Sequence, residues 1–244
     1  MKPGSPALAL GFEPFEPEAG LRGPPEWVER PGRIARDPGP PPPPEETGPF
    51  EDDFEETEEG QRAGSAQTAG DSGKASIRVV SGTAASGRKS LRFQDAAGLP
   101  HPFYPYLHYT PVLRQKGRTV AVEFGLRLEA GAVFYHEWRD AREPYRVGPS
   151  FRVDGGGTLH VNGAEPVKLP GPVKLPQGDW VTVKVSSALG SGSWRLEVSG
   201  PAGGILDAKL PCDPAFRELR WLGFVADADA DAVFHIDRVR FAYR

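Results

Sequence analysis

The sequence has little of what marks several large classes of protein. Its 244 residues include one cysteine, Cys212, so an intrachain disulfide framework is excluded. Every apolar run is far shorter than the ~20 residues of a transmembrane helix, so no membrane partner is predicted. The stretch ALALGF falls short of the ~7–15 apolar residues of a secretory signal core, so no signal peptide is predicted in this chain. The net charge is −4 and the basic residues are scattered among acidic ones, which argues against a nucleic-acid partner.

Glycine and proline are abundant instead, with 30 and 27 residues, and this composition favours strands and turns over helices. From about residue 75 onward, short segments of alternating apolar and polar residues follow one another, separated by turn sequences such as DGGG and LGSGS. The segment TVAVEFGLRLE places five apolar side chains on one face: Val120, Val122, Phe124, Leu126 and Leu128. We therefore predict an all-β fold, an antiparallel β-sandwich.

The amino-terminal part of the chain has a different character. Residues 36–47 include five consecutive prolines, Pro40 to Pro44, which predict an extended and solvated linker. The sandwich domain is predicted over residues 48–244. Residues 1–35 are predicted to be a separate tail, with the apolar piece SPALALGFEPF near its start.

Four stretches resemble the concanavalin A-like (laminin G-like) jelly-roll superfamily. They are GRKSLRFQDAAG at 87–98, GDWVTVKV at 178–185, SGSWRLEVSGPAGG at 191–204 and LRWLGFVADADADAVFHIDRVRF at 219–241. The shared pattern is a Trp that opens one strand, a W-x-L-x-V strand before a Gly-rich hairpin, and a last strand of the form aromatic-x-Ile-Asp-x-Val. The resemblance covers about residues 50–244 and implies a jelly roll. Because that fold hosts lectins, hydrolases, lyases and inert modules, it implies a carbohydrate-associated protein without choosing among them.

The segment SPALALGFEPFEPEAGLRGPPEWV resembles the end of a right-handed parallel β-helix domain in large exported bacterial proteins, where such a coil closes the solenoid before a jelly roll. The resemblance implies that residues 1–35 are the truncated tail of a β-helix domain, which would be a partner of the jelly roll. It also implies an extracellular or periplasmic location. One coil cannot bury its own core, so Leu8, Leu10, Phe12 and Phe15 would lack their neighbours. The alternative is that this segment folds back onto the sandwich as an extra strand.

The segment AVFYHEWRDAREPYRVGPSF, residues 132–151, is the densest in polar and aromatic residues. On a strand, alternate residues share a face, and Phe134 with Trp138 suit a core, which turns Tyr135, Glu137 and Arg139 outward. Aromatic rings bind the apolar faces of sugars, and carboxylate–guanidinium pairs bond their hydroxyls. The predicted glycan-binding set combines the outward Tyr135, Glu137 and Arg139 with three further residues of the same segment, His136, Trp138 and Tyr145.

Two alternatives stay open for this segment. The first is architecture, with a structural ion pair between Glu137 and Arg139 or Arg127 on a solvated face. The second is catalysis as a glycoside hydrolase or polysaccharide lyase. Laminarinase-type jelly rolls carry Glu-x-Asp-x-x-Glu on one face, but here Glu137 and Asp140 are three residues apart and lie on opposite faces.

Other catalytic arrangements have less support in the sequence. A pair of Glu123 with Glu137 across strands is conceivable but unsupported. Lyases of this fold use a Tyr/His pair with Arg and Gln, and the chain offers these types without a recognised spacing: Tyr106, His108, Tyr135, His136 and Arg139. We therefore favour a non-catalytic glycan-binding or domain-packing module over an enzyme and over a purely structural module.

A structural calcium ion is the one cofactor that the resemblance implies. Many carbohydrate-binding jelly rolls hold Ca²⁺ between a Phe-Glu pair on the first strand and an aromatic-x-Ile-Asp sequence on the last. Phe54-Glu55 and Phe234-His235-Ile236-Asp237 match these positions. Calcium prefers six to eight oxygen ligands, so Asp53, backbone carbonyls and water would complete the site. The predicted metal ligands are Glu55, Asp237 and Asp53.

Overall fold

The computed structural model describes residues 10–11, 43–114, 117–163, 167, 169 and 171–244. These residues form fourteen β-strands and no helix, which confirms the all-β prediction. In chain order the strands are Phe50–Asp52 (β1), Gln67–Ala69 (β2), Ser76–Ser81 (β3), Lys89–Asp95 (β4), Tyr106–Tyr109 (β5), Thr119–Leu128 (β6), Phe134–Arg139 (β7), Val147–Val153 (β8), Leu159–Val161 (β9), Trp180–Ala188 (β10), Ser193–Gly200 (β11), Gly203–Pro211 (β12), Trp221–Ala226 (β13) and Ala232–Tyr243 (β14).

The strands form two antiparallel sheets. The eight-stranded sheet has the order β12-β11-β10-β6-β14-β4-β3, with β1 paired to β14, and the six-stranded sheet has the order β2-β5-β13-β7-β8-β9. Their apolar faces meet: Phe124 of β6 contacts Phe224 of β13 edge to face at 5.0 Å, and Phe134 of β7 contacts Phe234 of β14 at 5.2 Å. The molecule is the predicted β-sandwich, whose core lies between the sheets.

The alternating pattern in the sequence decides which residues enter this core. In β6 the predicted inward residues are all buried, whereas Thr119, Ala121, Glu123 and Arg127 between them are partly exposed. The same holds in β10, where Val181, Val183 and Val185 are buried, and in β11 with its own inward residues, Trp194, Leu196 and Val198. Because successive side chains of a strand point to opposite faces, the same alternation also determines which residues lie on the outer face of each sheet. The candidate site lies on one of these outer faces.

Residues Pro44–Arg244 form one compact unit. The predicted tail at 1–35, apart from residues 10 and 11, and the predicted linker up to residue 42 lie outside the described residues. The truncated β-helix therefore stays a prediction. Glu46 and Thr47, at the end of the predicted linker, already contact the sandwich: Thr47 N–H donates to Val112 O at 2.9 Å, and Glu46 pairs with Arg118 at 3.1 Å.

The described residues contain no helix with the length and apolar character needed to cross a membrane. Cys212 lies in the loop after β12 and is half-buried, and burial raises the pKa of its thiol to about 11. Its thiol is therefore protonated at neutral pH, as expected of a small packing residue.

Candidate functional site

Strand β7 separates two sets of side chains, as its alternation predicts. Phe134, His136 and Trp138 are fully buried between the sheets, whereas Tyr135 and Arg139 lie on the outer face of the six-stranded sheet. Trp138 Nε1 donates a hydrogen bond to His136 Nε2 at 3.0 Å. Burial lowers the pKa of His136 to about 3, so the ring is neutral and accepts this bond. His136 and Trp138 therefore belong to the core, and their place in the predicted glycan-binding set is wrong.

On the outer face, Glu137 is the centre of a hydrogen-bonded chain. Tyr135 OH donates to Glu137 Oε2, and Arg139 Nε donates to Glu137 Oε1. Ser150 Oγ donates to Tyr135 OH at 3.3 Å and accepts from Asn162 Nδ2 at 3.1 Å. Burial, followed by the Glu137 charge, raises the pKa of Tyr135, so its hydroxyl stays protonated and donates. Although Glu137 points outward, its neighbours leave it 4% exposed.

Arg139 joins this chain to the aromatic residues of β13 and of the loop after β7. Its guanidinium carbon lies 4.0 Å from the ring centre of Trp221 and 4.2 Å from that of Tyr145. Trp221 is the antiparallel partner of Arg139 in the sheet register. With Nε bonded to Glu137, the two Nη groups make no hydrogen bond within the described part of the chain. The guanidinium is thus held at Nε, and its Nη groups remain available as hydrogen-bond donors to a ligand.

The indole of Trp221 lies across Gly223, its neighbour on the same face. A Cβ added at Gly223 would come within 1.7 Å of the Trp221 ring, so only glycine leaves room for this position. The His108 ring stacks on Trp221 at 5.4 Å with an interplanar angle of 21°. Burial, and then the Arg139 charge, lower the pKa of His108, which keeps the ring neutral near pH 7.

A groove of about 340 Å³ opens above these side chains. Phe103 and Tyr145, on two different loops, are each 46% exposed and line the same groove. Asp227 adds a carboxylate to the lining and accepts a hydrogen bond from Arg152 Nε at 3.2 Å. The groove is lined by Phe103, Tyr106, Tyr135, Arg139, Tyr145, Trp221, Val225 and Asp227.

Three of the predicted binding residues, Tyr135, Arg139 and Tyr145, line this groove, and Glu137 supports them from below. The prediction missed Trp221 and Asp227. Their segment WLGFVAD shows the alternation of a strand, with Trp221, Gly223 and Val225 on one face, so its outward side could be read from the sequence. The sequence does not show that this strand lies beside β7, because the two are about eighty residues apart.

The carboxylate pairs considered for hydrolysis do not form. Glu123 lies on β6 in the other sheet, opposite Lys184 and Arg240, so it cannot meet Glu137. Asp140 is buried in the turn after β7, where its Oδ1 accepts from the backbone N–H of Arg146 at 2.7 Å. The conceivable Glu123–Glu137 pair is therefore wrong.

The architectural ion pair of Glu137 forms with Arg139. Arg127, the other partner considered, lies on β6 in the eight-stranded sheet and bonds Gly178 O at 2.7 Å, so that alternative is wrong. Of the lyase-type residues, Tyr106 and Arg139 line the groove and His108 stacks beside it, whereas His136 lies in the core.

Two of the three predicted metal ligands hold the same segment of chain. Asp237 is fully buried, and its Oδ2 accepts from the backbone N–H groups of Ala85 at 2.8 Å and Ser86 at 3.0 Å. Burial raises the pKa of Asp237. Glu55 Oε1 accepts from the backbone N–H groups of Arg88 and Lys89, which lower its pKa.

The other oxygen of Asp237, Oδ1, is buried without a hydrogen-bond partner among the described residues. Asp53 is exposed, and its Oδ1 accepts from Glu55 N–H at 3.1 Å. Across the part of the chain that the structure describes, no three His, Cys, Asp or Glu side chains form a metal-binding group. Asp53 is therefore not a third ligand beside Glu55 and Asp237, whereas the unpartnered oxygen of Asp237 fits a cation.

No protein-family model and no curated protein sequence matches the chain. Solved structures similar to it include a sialidase (TM-score 0.59, 11% identity, 81% of this chain and 18% of the sialidase). An endo-beta-1,4-glucuronan lyase from the fungus Trichoderma reesei (0.53, 10%, 80% and 95%) and the basic winged bean lectin with Tn-antigen (0.53, 11%, 80% and 98%) are also similar. The chain thus spans about a fifth of the sialidase. At these identities the likeness shows the fold, a concanavalin A-like jelly roll, and leaves the ligand to the site itself.

Proposed function

We propose that the protein is a non-catalytic carbohydrate-binding module and that the groove on the six-stranded sheet holds the sugar. The observation that carries this proposal is the Arg139 guanidinium fixed between the rings of Trp221 and Tyr145. Aromatic rings cover the apolar faces of a pyranose, and the Arg139 and Asp227 side chains offer a donor and an acceptor to its hydroxyls. Tyr145 packs on the Arg139 guanidinium and Phe103 lies beside Tyr106, and these contacts reduce the ordering needed on binding.

The similar structures support a sugar ligand. The winged bean lectin is described with Tn-antigen, and the lyase is named for its action on glucuronan. The similarity to this chain extends over 98% of the lectin and 95% of the lyase. Since their identities to this chain are 11% and 10%, they support the ligand class and leave the choice between binding and catalysis to the residues.

A polysaccharide lyase is the alternative that a specific observation favours. His108 is kept neutral by burial beside Arg139, which is the state of a base that could remove a proton next to a cation. Tyr135 argues against it, because burial and Glu137 raise its pKa and commit its proton to Glu137. A purely structural module without a ligand is the third candidate.

A glycan array tests these candidates together. We expect the wild-type protein to bind a restricted set of glycans, the Tyr145→Ala variant to lose most of that binding, and no shortened or unsaturated product to appear. Unsaturated products, detected by their ultraviolet absorbance, would support the lyase instead. If the wild-type protein binds no glycan on the array, the proposal is contradicted and the purely structural role is favoured.

We also propose that Glu55 and Asp237 hold a structural calcium ion, with backbone carbonyls and water as further ligands. The buried and unpartnered Oδ1 of Asp237 supports this, because a buried oxygen without a partner costs stability that a cation would remove. Calcium bound only to the folded protein would raise its melting temperature by mass action.

The test of the calcium site is the melting temperature with and without chelator. We expect EDTA to lower it in the wild-type protein and in Asp53→Asn, but to leave Asp237→Asn unchanged. If neither EDTA nor added calcium changes the melting temperature of the wild-type protein, the proposed calcium site is contradicted.

A further inference from the structure

Several arginines near the groove are paired with carboxylates. Four of them belong to β7, β8 and the turn between these strands, and each has an acidic partner within 4 Å. The pairs are Arg139–Glu137, Arg142–Asp140 at 3.7 Å, Arg146–Asp213 at 3.7 Å and Arg152–Asp227 at 3.2 Å. Arg139, the arginine of the described groove lining, therefore presents a cation whose charge is already balanced by Glu137.

Asp227 is the carboxylate of this set that lines the groove itself. Its Oδ2 accepts from Arg152 Nε, and its Oδ1 makes no hydrogen bond within the described residues. The side chain is 31% exposed, so Oδ1 remains open to a ligand. Arg139 lines the same groove with its unused Nη donors, so the lining presents one fixed donor edge and one fixed acceptor.

A donor and an acceptor with balanced charges suit a hydroxyl-rich ligand, because each hydroxyl both donates and accepts. A carboxylate or sulfate on the sugar would instead find Arg139 already paired with Glu137. It would also lie beside the open Oδ1 of Asp227, whose partner Arg152 bonds the other oxygen and is not part of the described groove lining. Like charges brought together in a binding site cost affinity and serve to reject wrong partners. His108 adds no positive charge near pH 7, because burial and Arg139 hold its ring neutral.

We propose that the groove selects uncharged sugars and that Asp227 is the residue that rejects acidic ones. This inference rests on the proposed function, since it concerns the same groove.

The test uses matched glycans that differ by one kind of group. β-1,4-glucan and β-1,4-glucuronan oligosaccharides differ only at C6, and asialo and sialylated glycans form a second pair on the array. We expect the neutral member to bind about tenfold more tightly at low salt, as one like-charge contact predicts. In Asp227→Asn the preference should fall towards unity. Asp231→Asn, an exposed position in the same loop, should keep the wild-type preference.

The outcomes separate this inference from the proposed function. Equal or tighter binding of the acidic members by the wild-type protein would overturn the inference and leave glycan binding intact. An unchanged preference in Asp227→Asn would remove Asp227 as the selecting residue. Binding of neither member of any pair would overturn the proposed function and this inference with it.

Discussion

Arg139 is the side chain on which the site is built. An exposed arginine loses several rotatable bonds' worth of freedom when it binds a ligand, and that loss weakens affinity. Here Glu137 bonds Nε, and two rings cover the faces of the guanidinium, so much of the loss has been met before a ligand arrives. The cost is a buried carboxylate at Glu137, which Tyr135 and Arg139 satisfy with hydrogen bonds.

Trp138 and Tyr145 differ in burial, so alanine substitutions at the two positions should differ in their effect on stability. Trp138 is fully buried, so Trp138→Ala should lower the free energy of unfolding by roughly 3–5 kcal/mol, as large-to-small changes in packed cores do. Tyr145 is 46% exposed, and Tyr145→Ala should cost no more than about 1 kcal/mol while reducing glycan binding. Urea unfolding measures both. A Tyr145 variant as unstable as the Trp138 variant would mean that this ring belongs to the core.

At the scale of the strand, sequence alternation predicted much of the structure. Period two in β6, β7, β10 and β11 gave the buried and outward residues, because each strand has one face against the opposite sheet. It failed where a site needs two strands that are distant in sequence. The pairing of Arg139 with Trp221 depends on β13 entering between β5 and β7, and no local pattern records that insertion.

Alternation also explains why two residues of the predicted binding set are not in the groove. It turns Tyr135 outward and, in the same strand, places His136 and Trp138 inward. Glu137 was expected to be solvated on the outer face, and it is buried there by the side chains of its own strand. Alternation gives the direction of a side chain, but its exposure depends on the neighbours that cover it.

Gly223 of β13 allows a test of whether the position of the Trp221 indole matters for binding. Its missing side chain makes room for the Trp221 indole, so Gly223→Ala should push that ring out of the groove and weaken glycan binding by about tenfold or more. Gly204 in β12 is the matched control, because a Cβ there meets nothing within 4 Å. Titration calorimetry with the best array ligand compares the two. Full affinity in Gly223→Ala would show that the indole position is not needed.

At the scale of the whole molecule, the two sheets enclose one apolar core. The buried apolar cluster has members from Phe54 to Phe241, and Glu46 and Thr47 also contact the sandwich. These contacts lie within the compact unit Pro44–Arg244. The predicted domain boundary at residue 48 stays a prediction.

Truncation tests this boundary. Deletion of residues 1–43 should leave the melting temperature nearly unchanged, because it removes none of these contacts. Deletion of residues 1–49 should lower it, because it removes the Thr47–Val112 hydrogen bonds and the Glu46–Arg118 ion pair. A fall of several degrees in the shorter deletion would show that the amino-terminal segment packs on the sandwich, and the truncated-tail prediction would then be wrong.

The affinity of Trp221→Ala for the best glycan on the array, measured beside that of Trp180→Ala, is the most direct test of the groove as the sugar site. Trp180 is a half-buried tryptophan of the eight-stranded sheet, near His235 and away from the groove lining. We predict that Trp221→Ala loses at least about tenfold in affinity while it stays folded, and that Trp180→Ala keeps the wild-type value. Wild-type affinity in Trp221→Ala, with the loss falling on Trp180→Ala instead, would place the sugar on the other sheet and contradict the account.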